Sequence, residues 1–437
     1  MLNFLRKIIP QPVFKVYHFA LANLANLFYG FPSKKLIVIG VTGTNGKSTT
    51  VNLIAKVLEQ AGHKVGFCTT VNFKVGEREW LNKSKMTMLG RFQLQRLLRQ
   101  MVRAGCGFVV IETSSQGLIQ YRHLGVEYDV AIFTNLTPEH IEAHHGFENY
   151  KKAKAQLFSH LTRFPNKIIG GKKIPKIIAV NADDEHVDYF LEFKADKKIT
   201  FSIDKPSDYR AEQVEILPDG ARFKVRGQDF QTKLLARFNV YNALAALAAC
   251  GAFGVDLVSA SRALAKIKNI PGRLEYIDQG QDFKVMVDYA PEPESLRQLY
   301  NFLNSISKNK LIHVLGSAGG GRDKSRRPIL GRLAGKRADY VIITNEDPYD
   351  EDPNGIIDQV AVGALGAGKI LEKDLFKILD RRAAIKKAID LAQADDFVLV
   401  TGKGAEQAMV VEGGRKVAWD DREVVREIIK EKLGAET

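Results

Sequence analysis

The segment LIVIGVTGTNGKSTT (residues 36–50) carries the strongest fold signal in this chain, because an apolar run leads into a glycine-rich turn and then into Lys47-Ser48. The apolar run predicts a buried parallel strand, and the residues after the turn predict the start of a helix. Backbone N–H groups and the helix dipole at such a start can hold phosphate groups. We therefore expect Lys47 to reach the β- and γ-phosphates of a nucleotide and Ser48 to bind Mg²⁺. The usual G-x4-G-K-[ST] spacing would need a glycine where this chain has Val41.

Further apolar runs follow along the chain at intervals that suit crossover helices, which indicates a parallel sheet. They are apolar throughout, as is expected of strands covered on both faces. The predicted strands of this first unit are residues 36–40, 108–112, 129–133 and 176–180. Alternating polar and apolar residues between 211 and 238 predict a small antiparallel meander. Helices are expected after it, at about 239–253 and 256–267.

A second α/β pattern begins after the break at Ile270-Pro271-Gly272-Arg273. Its predicted strands are residues 283–288, 310–316, 340–344 and 397–401, and its predicted helices lie near 293–305 and 380–393. The predicted class is α/β, with a central, mostly parallel P-loop-type sheet domain at 36–270 and a smaller Rossmann-like α/β domain at 271–437.

The composition is that of a globular protein with a basic surplus. The chain has 437 residues, 45% hydrophobic and 26% charged, which excludes collagen-like and wholly disordered classes. A formal charge of +14 favours anionic partners of any kind. No basic run with interleaved aromatic residues supports a nucleic-acid partner. The three scattered cysteines, Cys68, Cys106 and Cys250, are expected to be buried apolar residues in a protein of the reducing cytoplasm.

Residues 1–35 contain five basic residues and no Asp or Glu. Their apolar stretch at 16–29 is shorter than the roughly 20 residues of a spanning helix. The basic start and Ala20-Leu21-Ala22 also fit a weak signal peptide. We expect an amphipathic helix, which either docks on the first domain or makes peripheral contact with a membrane surface.

Other polar segments are candidates for chemistry. Glu112 ends a predicted buried strand, where a carboxylate can bind metal or ligand or cap the next helix. Histidines crowd the segment after the strand at 129–133, namely His140, His144 and His145. Lys154 lies in the segment YKKAKA (150–155), which by its residues alone predicts a solvated basic helix face.

The phosphate loop and these segments together resemble the Mur ligases, the ATP-dependent amide-forming enzymes of peptidoglycan assembly, whose loop reads G-x-x-G-T-N-G-K-[ST]. The resemblance extends from about residue 36 to residue 423 and implies ATP and Mg²⁺ as cofactors. The residues that it implies for ATP are Gly43, Thr44, Asn45, Gly46, Lys47, Ser48, Thr49, Asn239, Asn242, Arg273 and Asp288. The implied metal ligands are Ser48, Glu112, His140 and, if carbamylated, Lys154. The implied catalytic residues are Lys47, Glu112, His140 and Lys154.

Residues 114–122 resemble the MurE-type segment that contacts UDP-N-acetylmuramoyl-dipeptide, which implies that role for Ser114, Gln120 and Arg122. The second half resembles the motifs that face the incoming amino acid, and the implied residues are Arg322, Asp347, Tyr349, Gly402 and Glu406.

The chain departs from the family motifs at several positions. Gln116 and Pro291 replace family histidines, and Asp347 and Tyr349 replace the asparagine and arginine of the D-N-P-R motif of meso-diaminopimelate enzymes. Tyrosine cannot supply the charge with which arginine clamps a distal carboxylate. L-lysine or another diamino acid therefore stays open as the acceptor.

The implied reaction is ATP-dependent addition of a diamino acid to UDP-N-acetylmuramoyl-L-Ala-D-Glu through an acyl phosphate, by a monomer. MurE-type ligases also carry an N-terminal UDP-binding domain, for which 35 residues are too few. That difference keeps open a folylpolyglutamate synthase-like ligase, although its G-K-G-S loop and D-G-A-H-N-P motif are not matched. A nucleotide-binding partner subunit of an amidotransferase is the non-ligase alternative, but its four-cysteine zinc insert needs more than three cysteines.

Overall fold

The computed structural model describes residues 11–138 and 141–435, in which the apolar runs form the central strands of two sheets. The predicted α/β class is confirmed. The strands of the first sheet are β1 (Ile37–Thr42), β2 (Val65–Cys68), β3 (Asn72–Val75), β4 (Arg78–Leu81), β5 (Phe108–Glu112), β6 (Val130–Phe133), β9 (Ile177–Asn181), β10 (Lys197–Ser202) and β11 (Tyr209–Arg210). Between β6 and β9, a small hairpin is formed by β7 (Ile168–Ile169) and β8 (Lys172–Lys173).

The first sheet has the strand order β11-β10-β9-β6-β1-β5-β2-β3-β4. Pairing is parallel from β11 to β2, and β3 and β4 add an antiparallel edge. β1 lies between β5 and β6, and Val41 is level with Glu112. The ends of β1, β5 and β6 therefore meet where the strand order diverges, the usual place for a ligand in such sheets.

Helices cover both faces of this sheet and bury its apolar strands. The helices of this part of the chain are α1 (Gln11–Phe28), α2 (Lys47–Gln60), α3 (Arg91–Arg103), α4 (Ser115–Ile119), α5 (Ile141–His144), α6 (Phe147–Leu161), α7 (Val187–Leu191), α8 (Arg237–Gly251) and α9 (Leu257–Lys266). Val51 and Leu244 pack on one face, and Leu98 and Phe158 pack on the other. The predicted meander is present as β12 (Glu212–Leu217), β13 (Gly220–Val225) and β14 (Gln228–Thr232).

The second sheet has the strand order β15-β16-β20-β17-β18-β19, parallel except for β15. Its strands are β15 (Glu275–Tyr276), β16 (Lys284–Asp288), β17 (Leu311–Leu315), β18 (Tyr340–Thr344), β19 (Leu375–Ile378) and β20 (Phe397–Thr401), followed by the hairpin β21 (Ala408–Val410) and β22 (Lys416–Ala418). Its helices are α10 (Pro293–Leu303), α11 (Arg326–Arg337), α12 (Pro353–Leu365), α13 (Arg381–Leu391) and α14 (Asp421–Ala435). Because β16, β17, β18 and β20 are parallel, the loops after them share one edge of the sheet.

Helix α1 lies against α3, and a short 3-10 helix (Pro32–Lys35) connects it to β1. Ala22 and Ala25 are buried on the packed side of α1. No helix within the described ranges is long and apolar enough to cross a membrane. The cysteines Cys68, Cys106 and Cys250 are unbridged and buried, as expected from the sequence.

Candidate active site

The phosphate loop joins the carboxyl end of β1 to the first turn of α2. Gly46 precedes the helix with φ of 81°, and a Cβ atom at this position would overlap Asn242 Oδ1. The backbone N–H of Asn45 donates to Asn135 Oδ1 at 2.8 Å, and that of Thr44 donates to the carbonyl oxygen of Asn135 at 2.8 Å. The segment after β6 therefore fixes the loop, and only glycine fits next to Asn242.

The Lys47 side chain folds back over this loop. Its Nζ donates to the carbonyl oxygens of Thr44 at 2.6 Å and Gly43 at 3.1 Å. A bound phosphate would offer the ammonium group a stronger, charged acceptor in the same place. Lys47 can therefore exchange its loop contacts for a phosphate without leaving the turn.

Glu112 ends β5 and points towards the start of α2. Its Oε2 accepts a hydrogen bond from Ser48 Oγ at 2.7 Å and one from the backbone N–H of Thr70 at 2.7 Å. Thr70 Oγ1 also donates to Oε1 at 3.0 Å. Ser114, rather than Glu112, caps the next helix by accepting from the N–H of Gly117. The structure thus brings the predicted pair Ser48 and Glu112 into direct contact.

Lys154 is buried, with 2% of its surface exposed. Its Nζ donates to the carbonyl oxygen of Gly43 at 2.6 Å and lies 4.3 Å from the centre of the Tyr150 ring. The residue-based prediction of a solvated basic face is therefore wrong for Lys154, although it holds for the exposed Lys152. Tyr150 and Lys154 are one helical turn apart, so both lie on the side of α6 that faces the phosphate loop.

The predicted ligand His140 lies outside the described residues. His144, from the same histidine cluster, is buried with its Nε2 3.0 Å from Ser115 Oγ. Its ring also packs against Tyr150, with the ring centres 5.1 Å apart. The sequence showed the histidine cluster but gave no means of choosing His144 as the member that packs at the site.

The predicted substrate segment forms α4 and the turn after it. Ser114 Oγ accepts from the N–H of Gly117 at 3.1 Å. Arg122 donates to Gln120 Oε1 at 2.6 Å and to the carbonyl oxygen of Met88. Burial lowers the pKa of the Arg122 guanidinium group. Ser114 and Arg122 line a cavity between the two sheets, and the hydrogen bond to Gln120 holds the Arg122 side chain in position.

The asparagines of α8 lie beside α2. Asn242 Nδ2 donates to Asn239 Oδ1 at 2.8 Å, and Thr50 Oγ1 donates to Asn242 Oδ1 at 3.2 Å. Asn239 in turn donates to the carbonyl oxygen of Leu235 at 2.7 Å. This chain of hydrogen bonds connects the phosphate-loop helix with the start of α8.

Arg273 and Asp288 approach the same space from the second sheet. The Arg273 guanidinium group lies 4.4 Å from the centre of the Tyr289 ring. Asp288 ends β16, and its carboxylate accepts from the backbone N–H groups of Leu274 and Ala290, each at 2.8 Å. Burial raises the pKa of Asp288, and the nearby Arg273 opposes that rise.

A cavity of about 660 Å³ lies between the carboxyl edges of the two sheets. Predicted site residues that line it are Thr44, Asn45, Gly46, Lys47, Ser48, Thr49, Glu112, Ser114, Arg122, Lys154, Asn239, Asn242, Arg273, Asp288 and Arg322. A direct contact crosses it where Ser295 Oγ of α10 donates to Asn45 Oδ1 at 2.9 Å. Its volume is in the range of pockets that hold small-molecule ligands and cofactors.

The predicted acceptor residues Asp347 and Glu406 form a charged cluster beyond this cavity. Lys403 Nζ lies 2.9 Å from Asp347 Oδ1 and 2.6 Å from Glu406 Oε2. Lys85, from the loop after β4 in the first unit, lies 2.5 Å from Asp347 Oδ2 and 3.1 Å from Glu406 Oε2. Burial alone would raise the pKa of Asp347, but Lys403 and Lys85 hold it below its ordinary value. Lys85 could not be predicted as part of this cluster, because its partner Asp347 is 262 positions away in the sequence.

Glu346 is a second residue of this region that the sequence motifs did not indicate. Its side chain is buried next to Gly402, where a Cβ atom would lie 2.8 Å from Glu346 Oε2. Burial, together with the charge of Asp347, raises the pKa of Glu346 to about 7. The predicted residue Gly402, with φ of 109°, thus allows a buried carboxyl group to approach the backbone.

Tyr349 packs against the glycine-rich turn after β17. A Cβ atom at Gly320 would lie 2.5 Å from the Tyr349 ring, and the Tyr349 N–H donates to the carbonyl oxygen of Val410 at 3.2 Å. Arg322, on the same turn, lines the cavity. Tyr349 therefore forms part of the wall next to the acidic cluster, where it supplies an aromatic ring instead of a cation.

Known proteins resemble this chain over most of its length. The family model described as "Mur ligase middle domain" matches residues 41–250, and that described as "Mur ligase, glutamate ligase domain" matches residues 272–404. A UDP-N-acetylmuramyl-tripeptide synthetase from Roseiflexus sp. (strain RS-1) is 40% identical over 433 residues, which is 97% of this chain and 84% of that protein. A UDP-N-acetylmuramoyl-L-alanyl-D-glutamate–2,6-diaminopimelate ligase from Geobacillus thermodenitrificans (strain NG80-2) is 40% identical over 94% of this chain and 83% of its own length. A solved structure of a ligase with that same name aligns with 91% of this chain and 79% of its own, at 32% identity and a TM-score of 0.59.

Proposed function

This chain belongs to the Mur ligase family, and we propose that it adds a diamino acid to UDP-N-acetylmuramoyl-L-Ala-D-Glu in peptidoglycan precursor synthesis. Like other members of the family, it is an ATP-dependent ligase that forms an amide bond. The observation that carries the proposal is the cavity in which the phosphate loop, Glu112 and Arg122 of one sheet face Arg273 and Asp288 of the other.

In this proposal the phosphate loop binds the nucleotide triphosphate. The start of α2 offers backbone N–H groups to the phosphates, and Lys47 moves from the carbonyl oxygens of its own loop to the β- and γ-phosphates. A carboxylate oxygen of the muramyl dipeptide attacks the γ-phosphorus, ADP leaves, and an acyl phosphate remains. The neutral amine of the diamino acid then attacks the acyl carbon, and inorganic phosphate leaves as the amide forms.

The residues around Ser48 suit Mg²⁺, which Mur ligases generally use. Mg²⁺ is usually bound through one or two carboxylates together with substrate phosphates and water. Glu112 and Ser48 supply one carboxylate and one hydroxyl at the phosphate loop, 2.7 Å apart. Within the described ranges, no group of three or more His, Cys, Asp or Glu side chains is arranged to bind a metal ion without a nucleotide. When bound, the ion would neutralise charge on the transferring phosphoryl group.

Lys154 is proposed to act as a carbamate. Its neutral amine would add to CO₂ with loss of a proton, which changes a cation into an anion beside the phosphate loop. The burial of Lys154 and its place 2.6 Å from the Gly43 carbonyl oxygen support a role at the loop. A carbamate signal after exchange with ¹³C-bicarbonate should appear in wild-type protein and in Lys152→Ala but be lost in Lys154→Ala. Signal of equal strength in Lys154→Ala would exclude this role.

The acceptor is proposed to bind at the acidic cluster after β18 and β20. Asp347 and Glu406 can receive an ammonium group there, since Lys85 already places one between them. Tyr349 occupies the position at which diaminopimelate enzymes have an arginine, and it carries no positive charge to pair with a distal carboxylate. A diamino acid without that carboxylate, such as L-lysine, therefore suits this site better than diaminopimelate.

The decisive experiment measures phosphate release from ATP by the purified chain with UDP-N-acetylmuramoyl-L-Ala-D-Glu and a panel of amino acids. We expect release that depends on both the muramyl dipeptide and a diamino acid. Lys47→Ala should abolish it, whereas Lys56→Ala, on the same helix but outside the lining of the cavity, should retain it. No release with any diamino acid, or release only with a folate and glutamate, would overturn the proposed substrate class.

We further propose that a monomer in the cytoplasm carries out this reaction. The groups assigned to nucleotide, muramyl dipeptide and amino acid come from two units of one chain, and ATP and UDP-linked precursors are cytoplasmic substrates. Size-exclusion chromatography of the active protein should give one peak at the mass of a single chain, and activity confined to a dimer peak would contradict this proposal.

A further inference from the structure

Helix α1 exposes large apolar side chains along one side. Val16, Leu24, Leu27 and Phe28 are 68%, 54%, 62% and 72% exposed. At 100° per residue, these side chains and that of Tyr17 lie within an arc of about 120°. The packed residues Ala22 and Ala25 lie outside that arc. Most of the surface of these side chains is therefore exposed to solvent, although Val16 also borders a shallow depression lined by Tyr121 and Leu124.

Helix α3 continues this surface with positive charge. Phe28 of α1 lies 6.4 Å, centre to centre, from the half-exposed ring of Phe92. Arg96, Arg99 and Arg103 follow Phe92 at helical spacing, so these four side chains share one stripe of α3. We call this surface the α1–α3 face, defined by Val16, Tyr17, Leu24, Leu27, Phe28, Phe92, Arg96, Arg99 and Arg103.

Acidic residues are absent from the sequence that forms this face. The first Asp or Glu of the chain is Glu59, and residues 91–103 contain none. Lys34 and Lys35 are exposed at the end of the 3-10 helix that follows α1, and Lys34 also approaches Glu127 at 3.9 Å. The Arg163 guanidinium group lies 5.9 Å from the ring of Phe19 at the side of α1. The surroundings of the apolar side are thus almost entirely cationic.

We propose that the α1–α3 face binds the surface of an anionic lipid bilayer. A helix with apolar residues on one side lies in the membrane interface with that side inserted at the level of the acyl chains. The arginines of α3 and the lysines after α1 are then placed to contact lipid phosphates. Each of these basic side chains adds to binding near an anionic surface. The face is a protruding helix side with a positive border, and its charge complements an anionic bilayer rather than a second copy of the same basic surface.

The proposal is tested by sedimentation of the full chain with vesicles of phosphatidylcholine, with and without phosphatidylglycerol. We expect the protein to bind vesicles that contain phosphatidylglycerol at low salt, and to bind less as salt increases. Leu27→Gln together with Phe28→Gln should weaken binding by at least about tenfold, since both side chains lose their insertion energy. Arg96→Gln and Arg99→Gln should each weaken it roughly fivefold on the anionic vesicles.

Matched controls separate this effect from a general loss of structure. Val362 and Leu365 are 63% and 46% exposed on α12, in the other unit. Val362→Gln together with Leu365→Gln should leave vesicle binding unchanged, and all variants should keep the wild-type melting temperature and ligase activity. The proposal is overturned if wild-type protein stays in solution with anionic vesicles at low salt, or if Leu27→Gln with Phe28→Gln binds as wild type does. It is equally overturned if light scattering shows a wild-type dimer that this pair of substitutions dissociates, since a second copy would then cover the face.

Discussion

The Lys85 ammonium group lies between two carboxylates that we assign to the amino acid acceptor. Its side chain is 7% exposed and reaches across from the first unit to Asp347 and Glu406. Burial, together with the charge of Lys403, lowers the pKa of Lys85 even though the two carboxylates oppose that change. If the acceptor's ammonium group binds to these carboxylates as we propose, it has to displace Lys85 from at least one of them.

Removing this ammonium group should make the acceptor bind more tightly. We expect Lys85→Met to lower the KM for the diamino acid about fivefold, the effect of roughly 1 kcal/mol. Lys83→Met is the matched control, because Lys83 is exposed on the same loop and should leave the KM unchanged. Steady-state kinetics with saturating ATP and muramyl dipeptide measure both variants. A higher KM for Lys85→Met would mean that Lys85 helps to bind the acceptor instead of competing with it.

Glu346 should make stability depend on pH. Its pKa is raised from 4.5 to about 7, so the folded protein holds a proton that the unfolded chain releases at lower pH. The stability due to that proton is complete below the unfolded pKa and is lost as pH rises through about 7. Glu346→Gln keeps the shape of the side chain but cannot ionise. We therefore expect the stability of the variant relative to wild type to be higher at pH 8 than at pH 5, by a margin of the order of 2 kcal/mol.

The unfolding midpoint in urea at the two pH values measures this difference. Glu427→Gln serves as the control, because Glu427 is exposed on α14 and its loss should change stability little at either pH. If the difference in stability between Glu346→Gln and wild type is the same at both pH values, the Glu346 carboxyl group does not ionise near neutrality.

At the scale of single elements, helix α2 has a glycine with positive φ near each end, and the two glycines are needed for different reasons. Gly46 and Gly62 have φ of 81° and 85°, but a Cβ atom would overlap Asn242 only at Gly46. Gly62→Ala should therefore lose roughly 1 kcal/mol of stability, and Gly46→Ala should lose more, because its Cβ atom would also have to displace Asn242. Only Gly46→Ala should also weaken binding of a non-hydrolysable ATP analogue, by roughly tenfold or more. Calorimetric titration measures the binding, and equal affinities for the two variants would show that Asn242 yields without consequence.

The central strands could be predicted because each is a continuous apolar run. β5, β18 and β20 have the predicted bounds, while the edge strands β3 and β4 were missed because their four residues mix polar and apolar side chains. The phosphate loop is local in sequence, so its residues were also predictable. Lys154 and Lys85 were not predictable from their neighbours, since one is buried by the packing of α6 and the other contacts a residue 262 positions away.

At the scale of the whole molecule, the carboxyl edges of two separate sheets face one cavity. Parallel strands place the phosphate loop and Glu112 on one side, and Asp288 and Arg322, which follow β16 and β17, on the other. Contacts that connect the sides include Ser295 with Asn45, Lys85 with Asp347, and Lys416 with the carbonyl oxygen of Ser84. These contacts are polar and lie beside an apolar contact, in which Leu235 and Ala236 of the first unit pack into the core of the second. Polar contacts between domains permit relative motion.

We therefore expect that weakening these contacts opens the cavity and that nucleotide closes it again. A compact chain of this length has a radius of gyration of about 22 Å. Ser295→Ala combined with Lys85→Met should increase the radius measured by small-angle X-ray scattering without nucleotide. A non-hydrolysable ATP analogue should restore the wild-type radius, because Lys47 and Arg273 line the same cavity from opposite units and would both contact the nucleotide. Ser305→Ala combined with Lys83→Met changes the same residue types away from these contacts and should leave the radius at the wild-type value. If the first double variant keeps the wild-type radius, the two units are held together by their apolar contacts, and the acceptor must enter without domain opening.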